Sequence, residues 1–392
     1  MSRFTLLLLF YLAAFLQAGA YGLTFLLPRL FKGFGANEVV VGQMLFLTTL
    51  ATLATVYFAG HMADRFGRMK MLSIACCAIS AALALYGGSS SVGPVLISAS
   101  LLLGFGWGIT YALAPIVLTK LVEGHERIRY FALLSVAIMA GFGLSPVFAA
   151  LLEAGGIAVS GAFYATAALC LISAVLFWIL IKPARGHALK SGPEGRSSLT
   201  VAHIVRIINS PARLPVIMVC IGASVFAGMN NFQTVMADER GLDYANYFLI
   251  YTVTVVLFRV VLARFKGGTS PYVTIAMLQF VMCGSVVLFL YSGDHGVLYG
   301  LVAFLFGIGY GVSYPILAAM AASDAEDDIV PQTLQLFALT YFIGIFGFPL
   351  IAGWLIVAFG SATLLWVTAL LAGVEATMAL LRGQRTRARA II

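Results

Sequence analysis

Residues 104–111 read Gly104-Phe105-Gly106-Trp107-Gly108-Ile109-Thr110-Tyr111, and residues 307–314 read Gly307-Ile308-Gly309-Tyr310-Gly311-Val312-Ser313-Tyr314. The runs lie 203 residues apart and share three glycines and a tyrosine in register. A second pair follows in the same order: Phe131-Ala132-Leu133 then Gly141-Phe142, and Phe337-Ala338-Leu339 then Gly347-Phe348, 206 residues apart. Small residues alone say only that helices pack closely. Their ordered recurrence predicts a duplicated unit.

Composition says what kind of unit. Of 392 residues, 61% are hydrophobic and 10% charged, with a mean hydropathy of +1.02. A soluble domain has roughly 45–50% apolar and roughly 25% charged residues. Disorder needs low hydrophobicity and high charge, and an outer-membrane barrel needs strands of alternating polarity. A polytopic helical membrane protein remains. A spanning helix takes about 20 residues. Twelve apolar stretches, spans 1 to 12, cover about 4–27, 38–62, 69–90, 94–120, 129–152, 159–182, 213–236, 244–263, 271–292, 297–321, 333–357 and 362–382. The first is too long for a signal-peptide core and has no small-residue cleavage pattern, so it is expected to be a span. Cys76, Cys77, Cys170, Cys220 and Cys283 lie inside apolar stretches without metal-ligand spacing and read as small buried hydrophobes.

The net charge is +8. In place of a nucleic-acid patch, the cations sit in alternate loops: Arg65, Arg68 and Lys70; Lys120, Arg127 and Arg129; Lys182, Arg185, Lys190, Arg196, Arg206 and Arg213; Arg264 and Lys266. Arg3 before span 1 and Arg382, Arg385, Arg387 and Arg389 after span 12 join them. Outside this set stand Arg29, Lys32, Arg240 and the intramembrane Arg259. The positive-inside rule then places both termini and the longest loop in the cytoplasm of a cell inner (plasma) membrane protein. The loop holding Asp324, Glu326, Asp327 and Asp328 departs from the pattern. The polar connector around Gly192-Pro193-Glu194-Gly195-Arg196-Ser197-Ser198 divides the chain into 1–182, a six-helix bundle, 183–212, a cytoplasmic linker, and 213–392, a second six-helix bundle. The expected fold is all-α, with 12 transmembrane helices in two pseudo-symmetric bundles. Such duplications carry their site at the repeat interface.

After span 2 comes Gly60-His61-Met62-Ala63-Asp64-Arg65-Phe66-Gly67-Arg68-Met69-Lys70. This resembles the loop 2–3 signature of the major facilitator superfamily, Gly-x-x-x-Asp-Arg-x-Gly-Arg-x-Lys/Arg. The second half holds only an echo, Arg259-x4-Arg264-Phe265-x-Gly267-Gly268, without the aspartate. The resemblance covers the whole chain and implies gradient-driven rocking of two six-helix halves around a central cavity. It implies that Gly60 lets two helices approach closely, and that Asp64 faces the N-terminus of span 11, where the helix dipole favours a carboxylate. Arg65, Arg68 and Lys70 would hold the cytoplasmic gate and face anionic headgroups. Gly141-Phe142-Gly143-Leu144-Ser145-Pro146 in span 5 looks like the motif of the 12-span drug/metabolite:proton antiporter branch, with Ser145 where glycine is usual and no glycine pair after Pro146. The alternative reading of this run is a kinked packing face. The arginine usual in span 4 and a carboxylate in span 1 are both missing.

Polar residues in hydrocarbon face an interior or a cavity. Candidates are Gln17 and Tyr21 on span 1; Thr48, Thr52 and Thr55 on one face of span 2; Trp107 and Tyr111 on span 4; Asn230, Asn231, Gln233 and Thr234 on span 7; and Tyr310 and Tyr314 on span 10. In the superfamily spans 1, 4, 7 and 10 line the cavity, which implies a substrate pocket of amides and rings suited to organic solutes with few fixed charges. Packing is the other reading of each ring. Arg259 either binds an anionic group, pairs with a carboxylate or snorkels to the headgroups. Glu375 is the one carboxylate clearly inside a span, and Asp238 or Glu239 could bind protons or gate the outer mouth. The histidines are scattered, no metal or cofactor is expected, and no nucleotide-binding Gly-x-x-x-x-Gly-Lys-Ser/Thr run or paired catalytic group is present, so the chain does not read as an enzyme. The expectation is a monomeric exporter of a small organic compound, a drug-like amphiphile or a metabolite, exchanged for protons. An uptake symporter or uniporter and a non-transporting receptor on the same fold are the alternatives.

Overall fold

The computed structural model describes residues 1–123, 127–187, 199–262 and 271–391. His125, Lys190, Arg196, the 192–198 run and the 264–268 echo lie outside the described residues. Among the described residues twelve helices are long and apolar enough to cross a membrane: Arg3–Lys32, Glu38–Phe66, Arg68–Gly87, Pro94–Leu121, Arg129–Ala154, Val159–Ile179, Arg213–Asn231, Tyr244–Val261, Pro271–Tyr291, Gly296–Ser323, Asp327–Phe359 and Ser361–Gln384. They are spans 1 to 12.

Local chemistry sets several ends. The Asn37 side chain accepts from the Val40 N–H and opens span 2. Pro94 stands in the first turn of span 4, where its missing N–H costs nothing. Spans 2 and 3 are joined by Gly67 alone, at φ 89 and ψ 136, a conformation that L side chains avoid. Gly360, at φ 86, joins spans 11 and 12 in the same way.

The chain forms two compact units, Met1–Pro193 and Glu194–Ile392. In the first, span 1 packs on spans 5 and 6, span 2 on span 4, and span 3 on spans 4 and 6. In the second, span 7 packs on spans 11 and 12, span 8 on span 10, and span 9 on spans 10 and 12. The duplication seen in the sequence is thus a duplication of pairings. The glycine runs make it possible. A Cβ at Gly104 would collide with the carbonyl of Thr48 on span 2, and one at Gly106 would stand 2.6 Å from the carbonyl of Ala75 on span 3. Gly307 meets Thr254 on span 8, and Gly309 meets Met282 and Leu278 on span 9. Spans 4 and 10 therefore present glycine to two neighbours at once.

Two expectations change. Gly347 is not the packing counterpart of Gly141. A Cβ at Gly141 would strike the Phe15 carbonyl, and the position meeting the matching carbonyl of Cys220 on span 7 is Gly344. The packing offset is thus 203 residues, as between Gly104 and Gly307, rather than 206, and a π-helical segment, Ile343–Gly347, lies at this crossing. Gly60 makes no close approach inside its own bundle, where nothing lies within 4 Å of a built Cβ.

The linker is not simply a tether. It carries the helices Ile181–His187 and Val201–Asn209, the second capped by Thr200, whose hydroxyl accepts from the His203 N–H. Arg206 donates to Asp328 at 2.9 Å and to Glu326, and those charges hold its guanidinium above its ordinary range. Asp324 accepts from the Tyr272 hydroxyl at 2.6 Å and pairs with Arg382 at 3.5 Å. The acidic loop that broke the charge pattern is thus matched by arginines of its own bundle.

Candidate functional site

In the first bundle, span 1 changes from α-helix Arg3–Gly22 to a 3-10 turn, Leu23–Leu26, and then to a short helix, Leu27–Lys32. Just before the change Gln17 and Tyr21 are buried, one turn apart. Tyr21 stacks on Trp107 of span 4, with centroids 4.6 Å apart and planes at 22°. Phe142 of span 5 closes the cluster at 4.7 Å from Tyr21 and 5.3 Å from Trp107. Gly22 admits the Phe142 carbonyl, and Ser145, a turn past Gly141, is buried against Gly19. The face of the run from Gly141 to Pro146 that carries Gly141 and Ser145 is therefore the packing seam of span 5 on span 1. Tyr111 is partly exposed, one turn beyond Trp107. The threonines of span 2 turn to span 4: Thr48 and Thr52 donate to the carbonyls of Ser100 and Gly104, both at 3.2 Å. They are interhelical bonds rather than pocket lining.

The second bundle repeats the stack. Phe226 of span 7 lies on Tyr310 of span 10 with centroids 4.5 Å apart and planes at 24°. Phe226 and Tyr310 occupy the places of Tyr21 and Trp107. The sequence reading missed Phe226 and Phe142, because a phenylalanine in an apolar span carries no polar signal.

Span 7 is interrupted. Its helix stops at Asn231, Phe232 adopts φ -115 and ψ 13, and a short helix, Gln233–Asp238, resumes. Asn230, Asn231 and Gln233 flank the interruption and are fully buried. Their amide nitrogens are used: Asn230 donates to the Phe226 carbonyl at 2.9 Å, Asn231 to that of Ala227 at 3.1 Å, and Gln233 to the Tyr299 hydroxyl at 2.7 Å. Their three amide oxygens and the Thr234 hydroxyl are buried without a hydrogen-bond partner. Buried polar atoms in native proteins are nearly always paired, and here four acceptors without donors gather at one helix break. Discontinuous helices hold the ligand in many transporters.

Arg259 of span 8 does not snorkel. It is 8% exposed, and its Nε donates to the Gly311 carbonyl of span 10 at 3.0 Å. Tyr251, Tyr310, Tyr314 and Tyr341 share its electrostatic surroundings, and Tyr314 contacts Tyr341 at 5.2 Å. Tyr314 is partly exposed. Glu375 lies apart from these groups, among spans 7, 9 and 12.

At the span ends, Asp64 and Arg65 are exposed on the last turn of span 2. Arg68 and Lys70 line a cavity of about 210 Å³ with Lys120 and Arg185. Between spans 7 and 8, Arg240 lies 4.4 Å over the Phe289 ring, and burial pushes its guanidinium below its ordinary range.

The sequence profile of the Major Facilitator Superfamily matches residues 7–347, and the chain belongs to this family. It is a multi-pass membrane transporter of small solutes, not an enzyme. The class B tetracycline resistance protein of Escherichia coli is 30% identical over 157 residues, 39% of this chain and 38% of that protein. The match thus spans well under half of that relative. The nucleoside transporter NupG superposes with a TM-score of 0.75 at 16% identity, covering 96% of this chain and 99% of that one. A D-xylose-proton symporter gives 0.73 at 15%, covering 97% of each. The human organic anion transporter MFSD10 gives 0.68 at 13%, covering 97% and 100%. At these identities the likeness is one of fold.

Proposed function

We propose that the protein exports a small organic compound across the inner membrane in exchange for protons, by alternating access, as a monomer with both termini in the cytoplasm. The observation that carries this reading is the interruption of span 7, where four buried acceptors stand without donors. A solute offering hydroxyl or amide N–H groups satisfies them. In the same bundle the Phe226–Tyr310 stack suits an apolar ring-bearing body. Arg259 among its tyrosines suits one anionic or strongly accepting oxygen. The substrate class is therefore an amphiphile with a flat apolar body, several donors and one acidic oxygen. Export is supported by the antiporter-like run ending at Pro146 and by the similarity to a tetracycline resistance protein. Uptake or uniport is favoured by one observation, the missing span 4 arginine and span 1 carboxylate.

The test places the purified protein in sealed liposomes with an imposed pH gradient and an internal pH dye. Tetracycline and cationic, neutral and anionic amphiphiles are added, against protein-free liposomes. Proton movement that needs both the protein and an amphiphile with an acidic oxygen is the expected result. Labelled compound crossing without proton movement refutes antiport.

A further inference from the structure

Of the fifteen Asp and Glu residues, fourteen lie in loops or at span ends, and one lies deep in a span. Glu375 of span 12 has no exposed surface. Its Oε1 accepts from Gln279 Nε2 of span 9 at 2.8 Å, and its Oε2 has no hydrogen-bond partner. Gly222 of span 7 leaves room for the carboxyl: a Cβ there would stand 3.0 Å from Oε2 and 3.1 Å from Oε1.

The other groups packed around it are neutral. Span 9 adds Cys283, one turn past Gln279, whose thiol donates to the Ala369 carbonyl, while Cys220 of span 7 lies half a turn from Gly222, on the side facing span 11. The segment Phe348–Phe359 of span 11 packs on span 12 and holds no titratable side chain. On span 12 itself the nearest charge is Arg382, about 10 Å along the helix, and it pairs with Asp324. Among the described residues no cation faces Glu375. A carboxylate without a counter-charge is expensive at membrane depth, and a protonated carboxyl is far less so, even with its O–H unpaired. The matching seam of the first bundle has no carboxyl. There Cys170 donates to the Cys76 carbonyl, and Ser173 donates to that of Ala13 on span 1.

We propose that Glu375 is the proton-binding site of the transport cycle, neutral while Gly222 of span 7 covers it and ionised when span 7 withdraws from spans 9 and 12. In that step the carboxyl O–H bond breaks, the proton passes to entering water, and the carboxylate later takes a proton from water on the opposite side. Span 7 is the natural coupler, because Asn230 and Asn231 lie two turns beyond Gly222 on the same helix. The assignment rests on the proton-antiport reading above and supplies the membrane-embedded carboxyl that spans 1, 4, 7 and 10 lack.

The experiment compares wild type, Glu375→Gln and Glu375→Asp as full chains. Infrared difference spectra across a pH titration should show a protonated-carboxyl C=O band at neutral pH in wild type, absent in Glu375→Gln. In the liposome assay, with tetracycline as first probe and the panel compounds after it, Glu375→Gln should keep exchange at equal pH but lose at least about tenfold in gradient-driven accumulation. Retained exchange shows that the variant is folded, and Glu375→Asp should recover part of the coupling. A coupled wild type with an equally coupled Glu375→Gln overturns this assignment alone, as does the lack of the band in wild type. A wild type that moves no protons with any compound overturns the antiport reading and this assignment together, whatever the infrared band shows.

Discussion

Gly104→Ala and Gly60→Ala make the same chemical change in two surroundings, and the structure separates their outcomes. At Gly104 the new Cβ runs into the Thr48 carbonyl and stands 2.7 Å from the Ala51 Cβ and 3.1 Å from the Thr52 nitrogen. Carbon atoms in contact prefer about 3.5–4.0 Å, so spans 2 and 4 must part by roughly 1 Å. A gap of that size forfeits about a quarter to a half of each contact, itself about 0.1–0.2 kcal/mol. Over tens of atom pairs along the crossing, that is about 1–2 kcal/mol. The same movement strains the Thr48 and Thr52 bonds to span 4, each contributing about 0.6 kcal/mol. At Gly60 nothing lies within 4 Å in its bundle. Any gain in helix propensity from alanine is common to both variants and cancels in the difference. Gly104→Ala should therefore be less stable than Gly60→Ala by about 2–3 kcal/mol. Unfolding in mixed detergent micelles, followed by tryptophan fluorescence, measures this. Equal stabilities would refute the claim that the span 2–4 crossing depends on a bare backbone at Gly104. A transport defect in Gly60→Ala with unchanged stability would show that its role lies in the transport cycle.

Three further outcomes are expected. Asp64→Asn should slow turnover about tenfold, about 1.4 kcal/mol on the barrier, while leaving ligand affinity nearly unchanged, and a wild-type rate counts against Asp64 as a gate. Arg259→Ala should weaken anionic amphiphiles by about 1.5–3 kcal/mol, the usual worth of a charge-assisted bond, and neutral ones much less, as read by competition binding; equal losses would make the residue a structural clamp on the Gly311 carbonyl. Arg206→Ala should speed amide exchange over Val201–Asn209 and leave transport intact. High salt should reproduce that loosening in the wild type, since the pairs to Glu326 and Asp328 are exposed. Exchange rates insensitive to both changes would mean that the helix is held by apolar contacts.

The spans were legible because hydropathy reports burial in lipid directly, and the repeat was legible because Gly104 to Tyr111 and Gly307 to Tyr314 keep their register. Gly67, Asp64 and the cations beside them stood out because charge is rare in this chain. What hydropathy does not carry is continuity. The amides around Phe232 marked a polar spot, but a stretch read as running unbroken from 213 to 236 did not show that the helix stops there. The 206-residue match of Gly141 with Gly347 likewise misled, because the packing keeps the 203-residue offset and places Gly344 there. The direction of Arg259 was undecidable from its depth alone. It is set by the Gly311 carbonyl, which only the packing of spans 8 and 10 brings within reach.

The single-residue joints at Gly67 and Gly360 have a mechanical meaning. A helix pair joined through one residue in the left-handed region has almost no slack, so neither arm can slide along its axis without carrying the other. Spans 2 and 3 then behave as one bent lever, and so do spans 11 and 12. Spans 3 and 4, by contrast, are separated by several residues containing Gly88, three serines and Gly93, and that connection yields first under load. Lengthening either joint by inserted glycines introduces backlash: the bundle would still assemble, but a push on one arm would be taken up in the joint before it reached the other.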